Sequence, residues 1–253
     1  MAEPIRIAPS GVKPLRIAMW SGPRNISTAM MRSFSSRADT SVTDEPFYGA
    51  FLRATGEPQP MAAEVIADMD CDWQSVADTV RGPAPDDKAI WYQKHMPHHM
   101  VGSVDILDFP DHAHAFLIRD PDLVVASYAA KNDLREPALL GFAKLVEYHE
   151  RISELRGCAA PVVDSNDILA NPAGVLSALC AALGIVWDDA MLRWPAGRHP
   201  ADGIWGRHWY NVVEKSSGFG APTSFAPLSD EARQIAGACR ADYERLAAFR
   251  IRP

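Results

Sequence analysis

The stretch Ser21-Gly22-Pro23-Arg24-Asn25-Ile26-Ser27-Thr28 sets one guanidinium and two hydroxyls beside a Gly-Pro turn, directly ahead of a run with helical periodicity. Backbone N–H groups at a helix N-terminus, an arginine and hydroxyl donors together suit a phosphate or a sulfate. An ordinary ATPase loop counted from Gly22 requires Gly at position 27 and Lys at 28, where Ser27 and Thr28 stand, so that chemistry is not expected. A turn with Arg24 on the surface is the plainer alternative. A second polar group falls in FLIRDPDLVVASY, with Arg119 at the end of an apolar run and Ser127 eight residues later. Ser127 shares a helical face with Leu123 and Val124, so it can be a small packing residue, and Arg119 can pair with Asp120 or Asp122. His95, His98 and His99 raise the question of a metal, but Pro97 interrupts the 95/99 pair as a helical face, and no metal site is expected.

The elements that must position these residues repeat one pattern. LRIAMW (15–20) is short, apolar and closed by Ser-Gly-Pro, as a buried strand is. Ile26, Ala29, Met30 and Phe34 then recur at helical spacing to about Arg37, with Asn25 available as cap. The alternation returns with KAIWYQ (88–93), AHAFLI (113–118) and APVV (160–163), the last followed by a helical run from Pro172 to Leu183. Asp120 before Pro121 marks a helix start. Residues 136–156 and 229–249 also read as helices, and 194–227, rich in Gly, Pro and Trp, reads as a long ordered loop. Repeated strand and helix units predict an α/β fold, a single domain over 15–253 after an arm at 1–14, with a central parallel sheet flanked by helices and ligands at the carboxyl ends of its strands.

The 253 residues, 27.7 kDa, are 47% apolar and 23% charged, which a folded globular chain of one domain accounts for. Twenty prolines dispersed along the chain imply stiff loops. A formal charge of −7 has the wrong sign for general adhesion to DNA or anionic lipid, so no nucleic-acid or membrane partner is expected, and a polyanion must find a local cationic pocket. Four dispersed cysteines without a C-x-x-C pair suit a reducing cytoplasm, with Cys180 and Cys239 as packing residues. The start of the chain lacks the apolar core of a signal peptide and no run approaches the ~18 apolar residues of a membrane span, so a cytoplasmic location is expected.

Taken together, the two loops resemble those of the PAPS-dependent sulfotransferases, P-K/R-S-G-T/S-T and R-D-P-x-D-x-x-x-S. Pro23, Arg24, Ser27 and Thr28 match the first, and Arg119, Asp120, Pro121 and Ser127 the second, about 95 residues on. Asp167 and Pro172 in NDILANPAGVLSALCAALGI are similar to a third family pattern, E-D-L-x-x-x-P before an amphipathic helix. The resemblance runs from Leu15 to about Leu192 and implies a P-loop-like architecture. Asn25 and Ile26 replace the usual Ser-Gly, and Ser165 stands in the place of a tyrosine. The R-K-G signature is absent, leaving Arg207, Lys215 and Ser216 as candidates for its role.

The resemblance implies transfer of a sulfuryl group from PAPS to a hydroxyl or amine of a small acceptor, with PAP as product and no metal. Pro23, Arg24, Asn25, Ile26, Ser27, Thr28, Arg119, Ser127 and Ser165 would bind the nucleotide, and Arg24 would stabilise the charge growing on the bridging oxygen. Two residues compete as the base. His95 follows KAIWYQ in a segment similar to the family's K-T-H-L-P, with Gln93 and Lys94 where Lys and Thr stand in that motif; Glu45, in TDEPFY, matches a Glu used by other members. Phe47, Tyr48, Trp205, Trp209 and Tyr210 would shape a pocket for a cationic or aromatic acceptor. A nucleotide-dependent kinase with a degenerate P-loop and a non-catalytic nucleotide-binding protein remain the alternatives, and a homodimer is one arrangement of the partners.

Overall fold

In the computed structural model, residues 13–131, 133–221 and 227–252 are described. The arm at 1–14 therefore lies outside the described residues except for its last two, and the same holds for residues 222–226 of the 194–227 loop. Five strands form one sheet: β1 (Leu15–Ser21), β2 (Thr40–Asp44), β3 (Ile90–His95), β4 (Ala113–Ile118) and β5 (Val162–Asp164). Their order is β2-β3-β1-β4-β5 and every pairing is parallel. β3 and β4 flank β1, so the chain reverses direction across the sheet there, and that point opens a crevice at the carboxyl ends of the strands.

The strands are buried on both faces, which is why they read as near-continuous apolar runs. Helices α1 (Ser27–Ser35), α2 (Tyr48–Thr55), α3 (Ala62–Asp68), α4 (Trp73–Arg81), α5 (Pro121–Ala129), α6 (Phe142–Arg156), α7 (Ser165–Ala170), α8 (Pro172–Ala182), α9 (Gly206–Trp209) and α10 (Asp230–Ala247) complete the α/β domain. On one face Trp20, Trp91, Phe116 and Ile118 pack with Val76 and Val80 of α4 and Leu145 and Ile152 of α6. On the other, Ile17, Met19, Tyr92 and Leu117 meet Met30, Met31 and Phe34 of α1 and Val175, Leu176 and Leu179 of α8. Cys180 and Cys239 are buried packing residues, as their Ala-rich surroundings suggested.

β4 has the bounds read from sequence, and α5 starts as expected, with the Asp120 carboxylate accepting from the Asp122 N–H at 2.9 Å and Pro121 in the first turn. Three details differ. Asn25 does not cap α1: Ile26 takes that position at φ 56°, and the Asn25 amide donates to the Leu117 carbonyl at 3.2 Å. β3 runs two residues later than KAIWYQ, because Lys94 and His95 both find partners inside the protein and stay in the strand. The run from 136 splits at Gly141, φ 72°, into a single 3₁₀ turn (Pro137–Leu140) and α6. Among the described residues no helix is long and apolar enough to cross a membrane.

Candidate active site

The turn between β1 and α1 is held from behind. Arg24 and Ile26 both sit at left-handed φ, 62° and 56°, which costs a non-glycine residue about 1–3 kcal/mol and persists only where surroundings over-determine it. Those surroundings are specific. The Arg119 guanidinium donates to the Arg24 carbonyl at 2.8 Å, and the Ser165 hydroxyl lies 3.0 Å from the Asn25 carbonyl and 2.9 Å from that of Ile118. A Cβ on Gly22 would lie 2.3 Å from the Leu140 carbonyl oxygen, so only glycine permits this approach.

A cavity of about 450 Å³ opens in front of this turn, and residues 23–28 line it together with Glu45, Lys94, Arg119, Ser127 and Ser216. The Arg24 Nε donates to the Ser127 hydroxyl at 3.0 Å, so the last turns of α5 and the β1–α1 loop share one polar group. Burial lowers the Arg119 pKa and the neighbouring Arg24 charge lowers it further, against Asp164 and Asp120. Two guanidiniums that repel one another beside hydroxyl donors fit an anion such as the phosphates of a nucleotide. Asp120 and Asp122, the carboxylates that follow Arg119 in sequence, pair with Arg240 of α10 at 2.7 and 3.2 Å.

The second polar group surrounds Lys94, which is 1% exposed at the end of β3. Its ammonium donates to Asp44 at 2.8 Å, Glu45 at 2.7 Å and the Tyr210 hydroxyl at 2.8 Å, with the Thr28 hydroxyl at 3.3 Å. Tyr210 in turn donates to the other Asp44 oxygen at 2.6 Å and accepts from the Trp205 indole at 3.1 Å. Burial pulls the Lys94 pKa down, but the Asp44 and Glu45 carboxylates together raise it well above its ordinary value, so the lysine is charged. Glu45 itself adopts φ 44°, a third backbone outlier at the same cavity after Arg24 and Ile26.

His95 points the other way. It stacks on Trp20 at 4.6 Å, its Nε2 lies 3.1 Å from the Gln93 side-chain oxygen, and it does not line the cavity. Burial first, then His112 and His114, hold its pKa well below the ordinary histidine value. Ser165 sits behind the loop, fully buried, and Arg207 and Lys215 are exposed and outside the cavity lining. Ser216 lines the cavity, with its hydroxyl also accepting from the Trp194 indole at 3.1 Å. Tyr48, Trp205, Trp209 and Tyr210 are lining residues, whereas Phe47 belongs to the core against Trp73.

Sequence reasoning passed over Lys94, noted only as a departure from K-T-H, and the pair it makes with Asp44. Its signal was a lysine inside an apolar strand, which requires a buried partner. His98 and His99 also line the cavity, both kept neutral by burial, and among the described residues no group of histidines, cysteines and carboxylates is placed to hold a metal.

A five-stranded parallel sheet flanked by helices, with a turn of N–H, guanidinium and hydroxyl groups after its central strand and an arginine and serine from the next, makes an α/β domain whose site suits a phosphate or sulfate. The chain belongs to the sulfotransferase family: the model described as sulfotransferase domain matches residues 15–246. Among solved structures the chain is similar to a sulfotransferase from Alicyclobacillus acidocaldarius, with TM-score 0.55, 13% identity and coverage of 94% of this chain and 96% of that one. It is likewise similar to the sulfotransferase domain from the curacin biosynthetic pathway, with TM-score 0.50, 14% identity and coverage of 89% and 97%. At such identities these likenesses speak for the fold. In sequence it is 34% identical over 223 residues to branched-chain-amino-acid aminotransferase-like protein 1 of Arabidopsis thaliana, 86% of this chain and 39% of that protein. The second such protein of that plant is 32% identical over 212 residues, 83% and 37%. The chain thus spans about two-fifths of the length of these relatives.

Proposed function

We propose that the protein transfers a sulfuryl group from PAPS to the oxygen or nitrogen of a small acceptor, giving PAP and a sulfated product. The observation that carries this reading is one cavity in which the 23–28 turn, Arg119 and Ser127 meet Glu45. Arg119 and Ser127 would hold the 3′-phosphate, as their motif positions imply, and the loop N–H groups with Ser27 and Thr28 would hold the phosphate that leaves. Arg24 would oppose the charge growing on that phosphate. A guanidinium stays protonated even where burial lowers its pKa, so its contribution is electrostatic. Of the two candidate bases Glu45 is the one that lines the cavity, and it would receive the acceptor's proton.

Thermal-shift titration in EDTA tests the donor. PAP at about 100 times its dissociation constant should stabilise the protein by about 2.7 kcal/mol, a shift of several degrees. Stabilisation by ATP with Mg²⁺ and none by PAP would reject PAPS as donor and favour a kinase.

A further inference from the structure

With Asp44 and Glu45 both ionised the group around Lys94 carries one more negative charge than positive; burial raises the Asp44 pKa and Lys94 opposes that rise. Two carboxylates, Asp44 and Glu45, share one ammonium, and the three N–H bonds of Lys94 are spent on Asp44, Glu45 and Tyr210. Asp44 is closed on both sides, one oxygen on Lys94 and the other on the Tyr210 hydroxyl. Glu45 meets Lys94 through one oxygen and lines the cavity. Aromatic and neutral groups stand around it: Tyr48 and Phe51 stack on His99 at 4.7 and 4.8 Å, and His98 and His99 are uncharged because burial holds their pKa values well down. Tyr48 reports the same field, its hydroxyl pKa raised by burial and then by Glu45, Tyr128 and Glu57. Arg24 and Arg119 keep their charges while bonded to the Ser127 hydroxyl and the Arg24 carbonyl; on the reading of this cavity as a sulfuryl-transfer site the donor's phosphates meet those charges, which leaves the group around Lys94 to the acceptor.

A carboxylate in excess, inside a cavity walled by aromatic rings, calls for a cation from the ligand. Resting on the reading of this cavity as a sulfuryl-transfer site, we propose that the acceptor is a primary amine, collected as its ammonium by Glu45 against Tyr48 and Tyr210 and sulfated on nitrogen. Because Asp44 is closed, holding the cation and accepting a proton fall to the same carboxylate, and that makes the bound nitrogen the attacking atom. The ammonium gives one proton to Glu45. Its lone pair then forms the N–S bond while the S–O bond to the donor's phosphate breaks, leaving that electron pair on the phosphate oxygen. The second nitrogen proton goes to water, and Glu45 releases its own when the sulfamate leaves. An uncharged alcohol would leave the excess carboxylate without a counter-ion.

The test is calorimetric titration of the full chain, first with PAP and then, PAP-loaded, with benzylamine and with its neutral isostere benzyl alcohol. Benzylamine should bind at least ~10-fold tighter, and Glu45→Gln should cut that preference below ~3-fold while Glu45→Asp keeps part of it. Unaltered PAP affinity in each variant shows that it is folded. Equal binding of the two probes, no heat from either, or a preference that survives Glu45→Gln overturns the proposal. PAP binding without amine preference rejects the amine and leaves the donor reading standing; Glu45-dependent amine preference without PAP binding does the reverse. With PAPS and 4-(aminomethyl)benzyl alcohol, mass spectrometry should find the sulfuryl group on nitrogen, and a product sulfated on oxygen, or none, overturns the nitrogen assignment.

Discussion

Lys94 and His95 are consecutive on β3, equally buried, and serve opposite sides of the sheet. Lys94 pairs in register with Met19 and Asp44, and its ammonium reaches the cavity beside Thr28. His95 pairs with Trp20 and is stacked on that indole, among Phe47, Phe109 and the side chains of the α4 and α6 face. Side chains alternate strictly along a strand, so one position in register exchanges a charged cluster for an aromatic core. A motif such as K-T-H can keep its histidine in the sequence while the neighbouring lysine faces the chemistry.

The largest effect should follow from breaking the charged side. Lys94→Met leaves Asp44 and Glu45 buried against each other with no cation, which costs about 3–5 kcal/mol. Chemical denaturation should show that loss; a loss below ~1 kcal/mol would mean that the cluster is solvated. The two candidate bases, one on each side, separate on rate. Glu45→Gln should lower kcat by about 10²–10⁴-fold at saturating PAPS, as removal of a general base does. His95→Gln should leave kcat within a few-fold. A large rate loss at His95 with none at Glu45 would return the base to the histidine.

The aromatic side has its own signature in acid. His112 and His114 are pushed down to about 4 and about 3, by burial first, the Arg16 charge adding at His112 and the Phe109 carbonyl opposing at His114; His95 lies well below its ordinary value as well. The unfolded chain takes up these protons near pH 6.5 and the folded protein only lower down, so stability is full above pH ~6.5 and is lost as pH falls toward 4. His112 alone accounts for about 3 kcal/mol across that window. Melting temperature should fall between pH 6.5 and 4, and His112→Gln should flatten the slope. A flat profile in the wild type would mean that these rings are hydrated.

The frame was legible because it rests on local signals: apolar runs closed by turns gave β1 and β4, and Asp120-Pro121 gave the start of α5. The 23–28 loop and the Arg119/Ser127 pair were also legible, each made of adjacent residues, and the fold brings them to one cavity. What escaped depends on distant partners. Tyr210 reaches Lys94 across 116 residues, and Arg32 is paired with Asp202 at 2.6 Å, tying α1 to the long loop, and no spacing along the chain announces either contact. Helices α2 to α4 were unread for a related reason. α3 is seven residues long and α2 eight, and α2 is ordered by packing against Trp205 and Tyr210.

The donor side gives a finer division. Arg119→Ala should weaken PAP by about 1.5–3 kcal/mol, and Ser127→Ala should weaken it in the same sense, each far more than an analogue lacking the 3′-phosphate. Equal losses for both ligands would remove this pair from the 3′-phosphate.

The smallest effect belongs to the serine behind the loop. Ser127 matches the nucleotide-binding pattern and Ser165 stands where that pattern has a tyrosine; Ser127 lines the cavity, whereas Ser165, fully buried, bonds the backbone carbonyls of Asn25 and Ile118. One hydroxyl hydrogen serves two acceptors there, so Ser165→Ala removes one shared hydrogen bond and leaves two buried carbonyls short, at a cost of about 1–2 kcal/mol. In a chain of this length that is a fall of about 2–6 °C in Tm. Because no atom of the proposed nucleotide contacts is removed, PAP affinity should stay within ~3-fold of wild type, and calorimetry on the two serine variants separates the roles. A Ser165→Ala variant that melts like the wild type yet loses PAP affinity as Ser127→Ala does would place this hydroxyl on the ligand.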